Sequence, residues 1–293
     1  MLRGQIMALC AALLSAAGTS LYNKMGEKLT SDMIGYVRMF LAVPMSLALV
    51  FIFDGRLPSG LPWQTYAAAF GSGFVGYFLC DYFMFKAIVG LGARETSVIM
   101  TLNPALTALM SLIIFGESLN AMQVAGMSVT VIGVSLMVAG SKGASEKDRR
   151  ISLKAGILCA ASGAVLQSVA DIMAKAALSS LPPVSTNLLR LTGGLAAWIV
   201  FGFLKRKDYS EQFRVFRDWL YVIMMVCAVA AGPVFAMTLS IGAMEIIPVG
   251  VVKSLVQTSP LFMIPIDMMR KKRISVLSVI GTLVSVAGVI LLF

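Results

Sequence analysis

Seven ionisable side chains stand inside long apolar runs: Arg38, Asp81, Lys86, Asp171, Lys175, Arg190 and Lys253. A charge in such a run is costly in lipid, so it usually faces a protein interior or a water-filled path. Arginine and lysine there attract carboxylate or phosphate groups. A buried carboxylate binds an ammonium group or titrates as a proton site. Spacing suggests partners. Asp171 and Lys175 are four apart, on one helix face, and are expected to pair. Lys86 follows Asp81 by five, which leaves an imperfectly aligned ion pair open. Arg38 and Arg190 lie early in their runs, where snorkelling to headgroups competes with an interior role.

Lys253, Gln257 and Pro260 fall at i, i+4 and i+7. On a continuous helix they share a face, and a lysine, an amide and a kink make an anion-binding stripe. The competing reading is a lysine neutralised by Asp81 or Glu245 for packing. Asn103 precedes Pro104 as Gln257 precedes Pro260 by a few residues. Each proline removes a helix hydrogen bond and bends the axis, which membrane helices tolerate where they line a cavity. The expected site is therefore Arg38, Asp81, Lys86, Asn103, Arg190, Lys253 and Gln257 for solute, Asp81 and Asp171 for protons, and Pro104 and Pro260 as kinks.

Other chemistries lack their residues. There is no histidine, and Cys10, Cys80, Cys159 and Cys227 are scattered, so neither a metal site nor a disulfide framework is expected. No G-x-x-x-x-G-K-S phosphate loop and no G-x-S-x-G serine appear, which argues against ATP drive and hydrolysis. No cofactor is expected. Gly71-Ser72-Gly73-Phe74-Val75-Gly76 matches a dinucleotide fingerprint. It lies inside an apolar helix rather than between strand and helix, so close helix packing explains it better.

The elements that must position these groups are membrane helices. The chain is 58% hydrophobic and 13% charged, about half the charge of a soluble domain. Ten apolar stretches appear near 5–22, 33–53, 66–88, 96–115, 122–140, 155–177, 187–204, 219–238, 249–269 and 275–293, each about the length that spans a bilayer core. Adjacent apolar residues such as Leu136-Met137-Val138 break the alternation a barrel requires. The fold expected is an all-α integral membrane protein.

The chain also repeats itself. Thr101-Leu102-Asn103-Pro104 and Gly126/Gly133 in the first half answer to Gln257-Thr258-Ser259-Pro260 and Gly281/Gly288 in the second. Leu9-Cys10-Ala11-Ala12 matches Leu158-Cys159-Ala160-Ala161, Arg38 matches Arg190, and Gly76 matches Gly232. Five helices per half make the second half enter upside down: two inverted repeats, 1–141 and 154–293, joined by a polar linker at 142–153. The first stretch reads like a signal peptide, but its internal match argues for retention. The glycine pairs either join the halves or form a homodimer contact.

Net charge is +10. One set of links carries Arg3, Arg56 and Lys175, while the other holds Lys24, Lys28, Arg94, Lys142, Lys147, Arg149, Arg150, Lys154, Lys205 to Lys207, Arg214, Arg217 and Arg270 to Arg273. Basic loops mark the cytoplasmic side, so the charge reads as topology with both termini outside, not as a nucleic-acid footprint.

An arginine early in the second helix, N-P-A-L-T-A-L in the fourth, Gly116-Glu117-Ser118-Leu119-Asn120 after it and the spaced glycines of the fifth resemble the EamA-type branch of the drug/metabolite transporter superfamily. The second half departs where Lys272 occupies the place of Glu117. The resemblance implies a carrier of small polar metabolites in the bacterial inner membrane, with a central cavity between halves. Alternating access driven by protons or exchange is expected, with an amino acid or organic anion as solute. Gly250-Val251-Val252-Lys253 and Ser259 are also faintly similar to phosphate-sugar translocators, which keeps an organophosphate antiporter as the alternative. A membrane enzyme is a third reading.

Overall fold

The computed structural model describes residues 1–26, 28–91, 93–140, 153–205, 210–262 and 275–292. Helices dominate, and no strand occurs among the described residues. The order is α1 (Leu2–Met25), α2 (Ser31–Phe53), α3 (Trp63–Ile88), α4 (Thr96–Phe115), α5 (Ala121–Gly140), α6 (Leu153–Ala177), α7 (Pro183–Lys205), α8 (Trp219–Ala243), α9 (Val249–Val256) and α10 (Val276–Leu291). Helices α1 to α8 are long and apolar enough to cross a bilayer, and α10 is a shorter apolar helix. Side-chain caps start several of them. Thr30 accepts from the Met33 N–H, Asp218 from the Leu220 N–H and Ser275 from the Ser278 N–H, each satisfying a donor the helix leaves free. Large apolar side chains such as Ile113, Phe203, Leu204 and Val276 point outward. A greasy rim of that extent suits lipid, not water.

The repeat is visible in backbone irregularities. Helix α3 widens into a π-helical stretch at Phe74–Cys80, and α8 does so at Ala230–Ala236. The shift that carries Gly76 onto Gly232 carries one stretch onto the other. A π turn loosens the regular carbonyl partnering of the helix. Helix α7 compensates both: Trp198 Nε1 donates to the Tyr77 carbonyl (2.8 Å) and Asn187 Nδ2 to the Pro233 carbonyl (2.9 Å).

The prolines act differently from the kinks expected. Helix α4 breaks at Thr101–Leu102 and restarts at Asn103, with Pro104 in the first turn. Proline is at home there because its missing N–H had no intrahelical partner. The second half does the same: α9 ends at Val256, turns at Gln257–Thr258, and helix resumes at 259. Each proline opens a half-helix rather than bending a continuous one.

Helices α5 and α10 pair closely. A Cβ on Gly133 would overlap the backbone of Ser285, and one on Gly281 the backbone of Met137. The glycine faces thus meet each other and join the two halves within one chain. The dinucleotide-like glycines also serve packing: a Cβ on Gly73 would overlap the Arg190 carbonyl on α7.

One end of the bundle collects the start of α1 and the end of α10, where Gln5 Nε2 donates to the Leu292 carbonyl (2.5 Å). The opposite end holds the α1–α2 link against the segment before α8, through Thr30 Oγ1 and Gln212 Oε1 (2.9 Å). Residues 142–152 of the expected linker at 142–153, and the basic residues Arg206, Lys207 and Arg270 to Arg273, lie outside the described residues.

Candidate functional site

Five ionisable side chains from the expected set converge inside the bundle. Arg38 on α2 forms an ion pair with Asp81 on α3. Lys253 on α9 lies 2.7 Å from Asp171 on α6, and Arg190 on α7 faces the same carboxylate at 4.0 Å. Asp171 is 0% and Arg190 1% exposed. Gln167, one turn before Asp171, donates to it at 3.2 Å. Tyr77, on the π stretch of α3, links the two pairs. Its ring lies under the guanidinium carbons of Arg38 (5.9 Å) and Arg190 (5.5 Å), where the π face attracts both cations.

The cluster holds three cations and two carboxylates. Buried charges are tolerated when paired, so one positive charge remains in excess. Arg38 and Lys253 also line a cavity of about 200 Å³ between the halves. Helix α1 contributes Ser15, Thr19 and Tyr22 to its wall, and α8 contributes Ser240 and the π-stretch residues Gly232, Pro233 and Ala236. The Tyr22 hydroxyl, the Ser240 hydroxyl and Arg38 Nε are buried with no hydrogen-bond partner among the described residues.

Several expected pairings are corrected. Asp171 does not pair with Lys175. Asp171 faces the junction of α6, α7 and α9, where Arg190 and Lys253 meet it. Lys175 lies one turn nearer the helix end and binds Glu117 at 2.9 Å and the Met244 carbonyl. Lys86 does not pair with Asp81. Five residues carry it about 140° around the helix, and its exposed ammonium sits 4.3 Å from the Tyr82 ring. It stands apart from the cluster. Lys253 is neutralised by neither Asp81 nor Glu245 but by Asp171. Gln257 lies in the turn after α9, so the helical face drawn through Lys253, Gln257 and Pro260 is interrupted. Asn103 bonds Ser168 Oγ on α6 at 3.1 Å, fastening the halves rather than lining the cavity. Arg38 and Arg190 are interior, not snorkelling.

Sequence reasoning missed the hydroxyl wall. Its signal was present, since Ser15, Thr19 and Tyr22 fall at i, i+4 and i+7 of an apolar helix. It also missed the clamp at the end that holds the termini. Glu117 accepts from the Ser111 hydroxyl, from Lys175 and from the Val249 N–H (3.1 Å), bridging the first half to α6 and α9 of the second. Burial pushes the Glu117 carboxyl up, but the bonds from Ser111, Lys175 and Val249 outweigh it and hold it below its usual range.

The inverted pair of halves explains the cluster's shape. The match of Cys10 to Cys159 carries Tyr22 onto Asp171, and the match of Gly76 to Gly232 carries Asp81 onto Met237. Arg38 pairs with Asp81, and Arg190 Nη1 lies 3.6 Å from Met237 Sδ. Arg190 faces Asp171, while Arg38 shares the cavity wall with Tyr22. Each arginine therefore stands between two equivalent positions, and the halves place their acid at opposite ones.

Comparison with known proteins agrees with this architecture. A solved structure titled "Crystal structure of protein" superposes with a TM-score of 0.74 at 20% identity, covering 98% of this chain and 95% of that one. It shares the fold. The "Uncharacterized transporter YyaM" of Bacillus subtilis (strain 168) is 29% identical over 133 residues. That match covers 44% of this chain and 43% of the relative, under half the length of each. The sequence model of the EamA-like transporter family matches twice, over residues 2–139 and again over 154–293. With nearly the whole chain so matched, this multi-pass helical membrane protein belongs to the EamA-like transporter family, a branch of the drug/metabolite transporter superfamily.

Proposed function

We propose that the chain is a secondary active carrier for a small organic anion or amino acid, working by alternating access. The observation that carries this reading is the excess cation at the cavity wall: Arg38 and Lys253 face the space between the halves, and three cations are matched by two carboxylates. A carboxylate on the solute completes the charge balance, which favours its entry over that of a cation. Asp81 and Asp171 each bridge helices, so protonating either frees a cation and weakens a contact between helices. That supports proton coupling, with exchange as the other drive. The Glu117–Lys175 clamp closes one end of the bundle between the halves, and opening there requires it to part.

The reading places the protein in the cytoplasmic membrane, with basic loops inside and both termini outside. It takes lipid and a small solute as partners and no nucleic acid. Proteoliposomes carrying the purified chain should take up radiolabelled organic or amino acids with saturation and counterflow. Uptake restricted to sugar phosphates would move the chain to the organophosphate reading. Flux without saturation or counterflow would end the carrier reading.

A further inference from the structure

The cavity wall discriminates between kinds of anion. Its cations are Arg38 and Lys253. The same wall carries hydroxyls: Ser15, Thr19 and Tyr22 in one stripe along α1, and Ser240 on α8. Ser240 is 2% exposed, and its hydroxyl and that of Tyr22 are buried without a hydrogen-bond partner among the described residues. Buried polar groups of this kind are satisfied by water or by a ligand. A solute that displaces the water and offers nothing to bond them leaves them unpaired, which weakens its binding.

The same wall offers an ammonium group no carboxylate. No described lining residue is acidic. Asp81 is held by Arg38 and Asp171 by Lys253, and neither residue lines the cavity. An amino acid entering here brings its ammonium beside the excess positive charge. A hydroxyl is neutral and both donates and accepts, so it fits the stripe without that repulsion.

We propose that the solute is a hydroxylated organic monoanion, selected over amino acids by the hydroxyls of Ser15, Thr19, Tyr22 and Ser240. This rests on the anion-carrier reading above and narrows its substrate class.

Three probes of six carbons separate the possibilities: gluconate, hexanoate and norleucine. Each is tested for thermal protection of the purified full chain, then for competition against labelled gluconate uptake in proteoliposomes. Gluconate should protect and be transported, with hexanoate and norleucine at least roughly tenfold weaker. Tyr22→Phe and Ser240→Ala remove only an oxygen and should fold. Each should weaken gluconate about tenfold while leaving hexanoate as strong or stronger, because a hydroxyl that hexanoate cannot bond is gone. Hexanoate or norleucine matching gluconate, or variants that bind gluconate as well as the parent, would overturn hydroxyl selection and leave the anion carrier standing. Failure of all three probes to protect or compete would overturn hydroxyl selection, and the anion-carrier reading falls with it if the wider range of acids also fails.

Discussion

Lys253 Nζ stands 2.7 Å from Asp171 Oδ1, tying α9 to α6 in the interior of the second half. The contact makes Lys253 structural as well as electrostatic. Removing one member of a buried pair strands the other, and Arg190 at 4.0 Å is too distant to replace the hydrogen bond.

Lys253→Ala is therefore expected to destabilise the protein by about 3–5 kcal/mol. Lys253→Met combined with Asp171→Leu and Arg190→Met should recover most of that loss, because no member of the triad is left charged, while uptake stays absent. Thermal unfolding in detergent, paired with uptake in proteoliposomes, measures both. A single variant that melts like the parent would remove the pair from the stability of the fold.

Asp81 is expected to couple transport to protons through its pair with Arg38. Asp81→Asn keeps the shape and a hydrogen-bonding oxygen but cannot titrate. Accumulation driven by a pH gradient should fall to background, with solute exchange retained. Gradient-driven accumulation in that variant would assign coupling elsewhere.

The contact of α5 and α10 leaves no room for side chains. A Cβ on Gly133 meets the backbone of Ser285, which cannot swing aside. Gly133→Val should cost about 3 kcal/mol or more. Gly202→Ala is the control, since its Cβ would reach only Tyr36, at 4.0 Å. Melting temperatures of the two variants should differ by several degrees, and equal values would refute the close approach.

Glu117 makes stability depend on pH with a definite sign. Its carboxyl lies below the ordinary value of 4.5 in the folded protein. The unfolded chain then binds the proton more readily, so the clamp's stabilisation is present above pH 4.5 and is lost as pH falls through the lowered folded value. Glu117→Gln should flatten this acid limb of the melting curve and lower stability at neutral pH by about 1 kcal/mol, because the bridge is partly exposed. An unchanged acid limb in the variant would place the dependence on other groups.

Much of the fold was legible in the residues. Lipid forces long apolar helices, so composition and run length reveal the spans. The matched prolines Pro104 and Pro260 also anticipated where the backbone departs from regular helix, though not how, while nothing in the sequence reading anticipated the π stretches around Gly76 and Gly232. A proline's position in the chain does not say whether it bends a helix or starts one. That depends on where the preceding turn breaks, at Thr101–Leu102 and Gln257–Thr258.

The sequence by itself determined that charged residues stand within the apolar runs and that the chain is built of two similar halves. Those properties are local, written in hydropathy and in repetition. Only the tertiary structure decided the partners: Asp171 with Lys253 instead of Lys175, Asp81 with Arg38 instead of Lys86. Helical spacing reports neighbours on one helix, whereas a buried charge is paired by whichever helix packs against it. The hydroxyl wall has the same origin, because Ser15, Thr19, Tyr22 and Ser240 become a surface only when α1 and α8 close on one cavity.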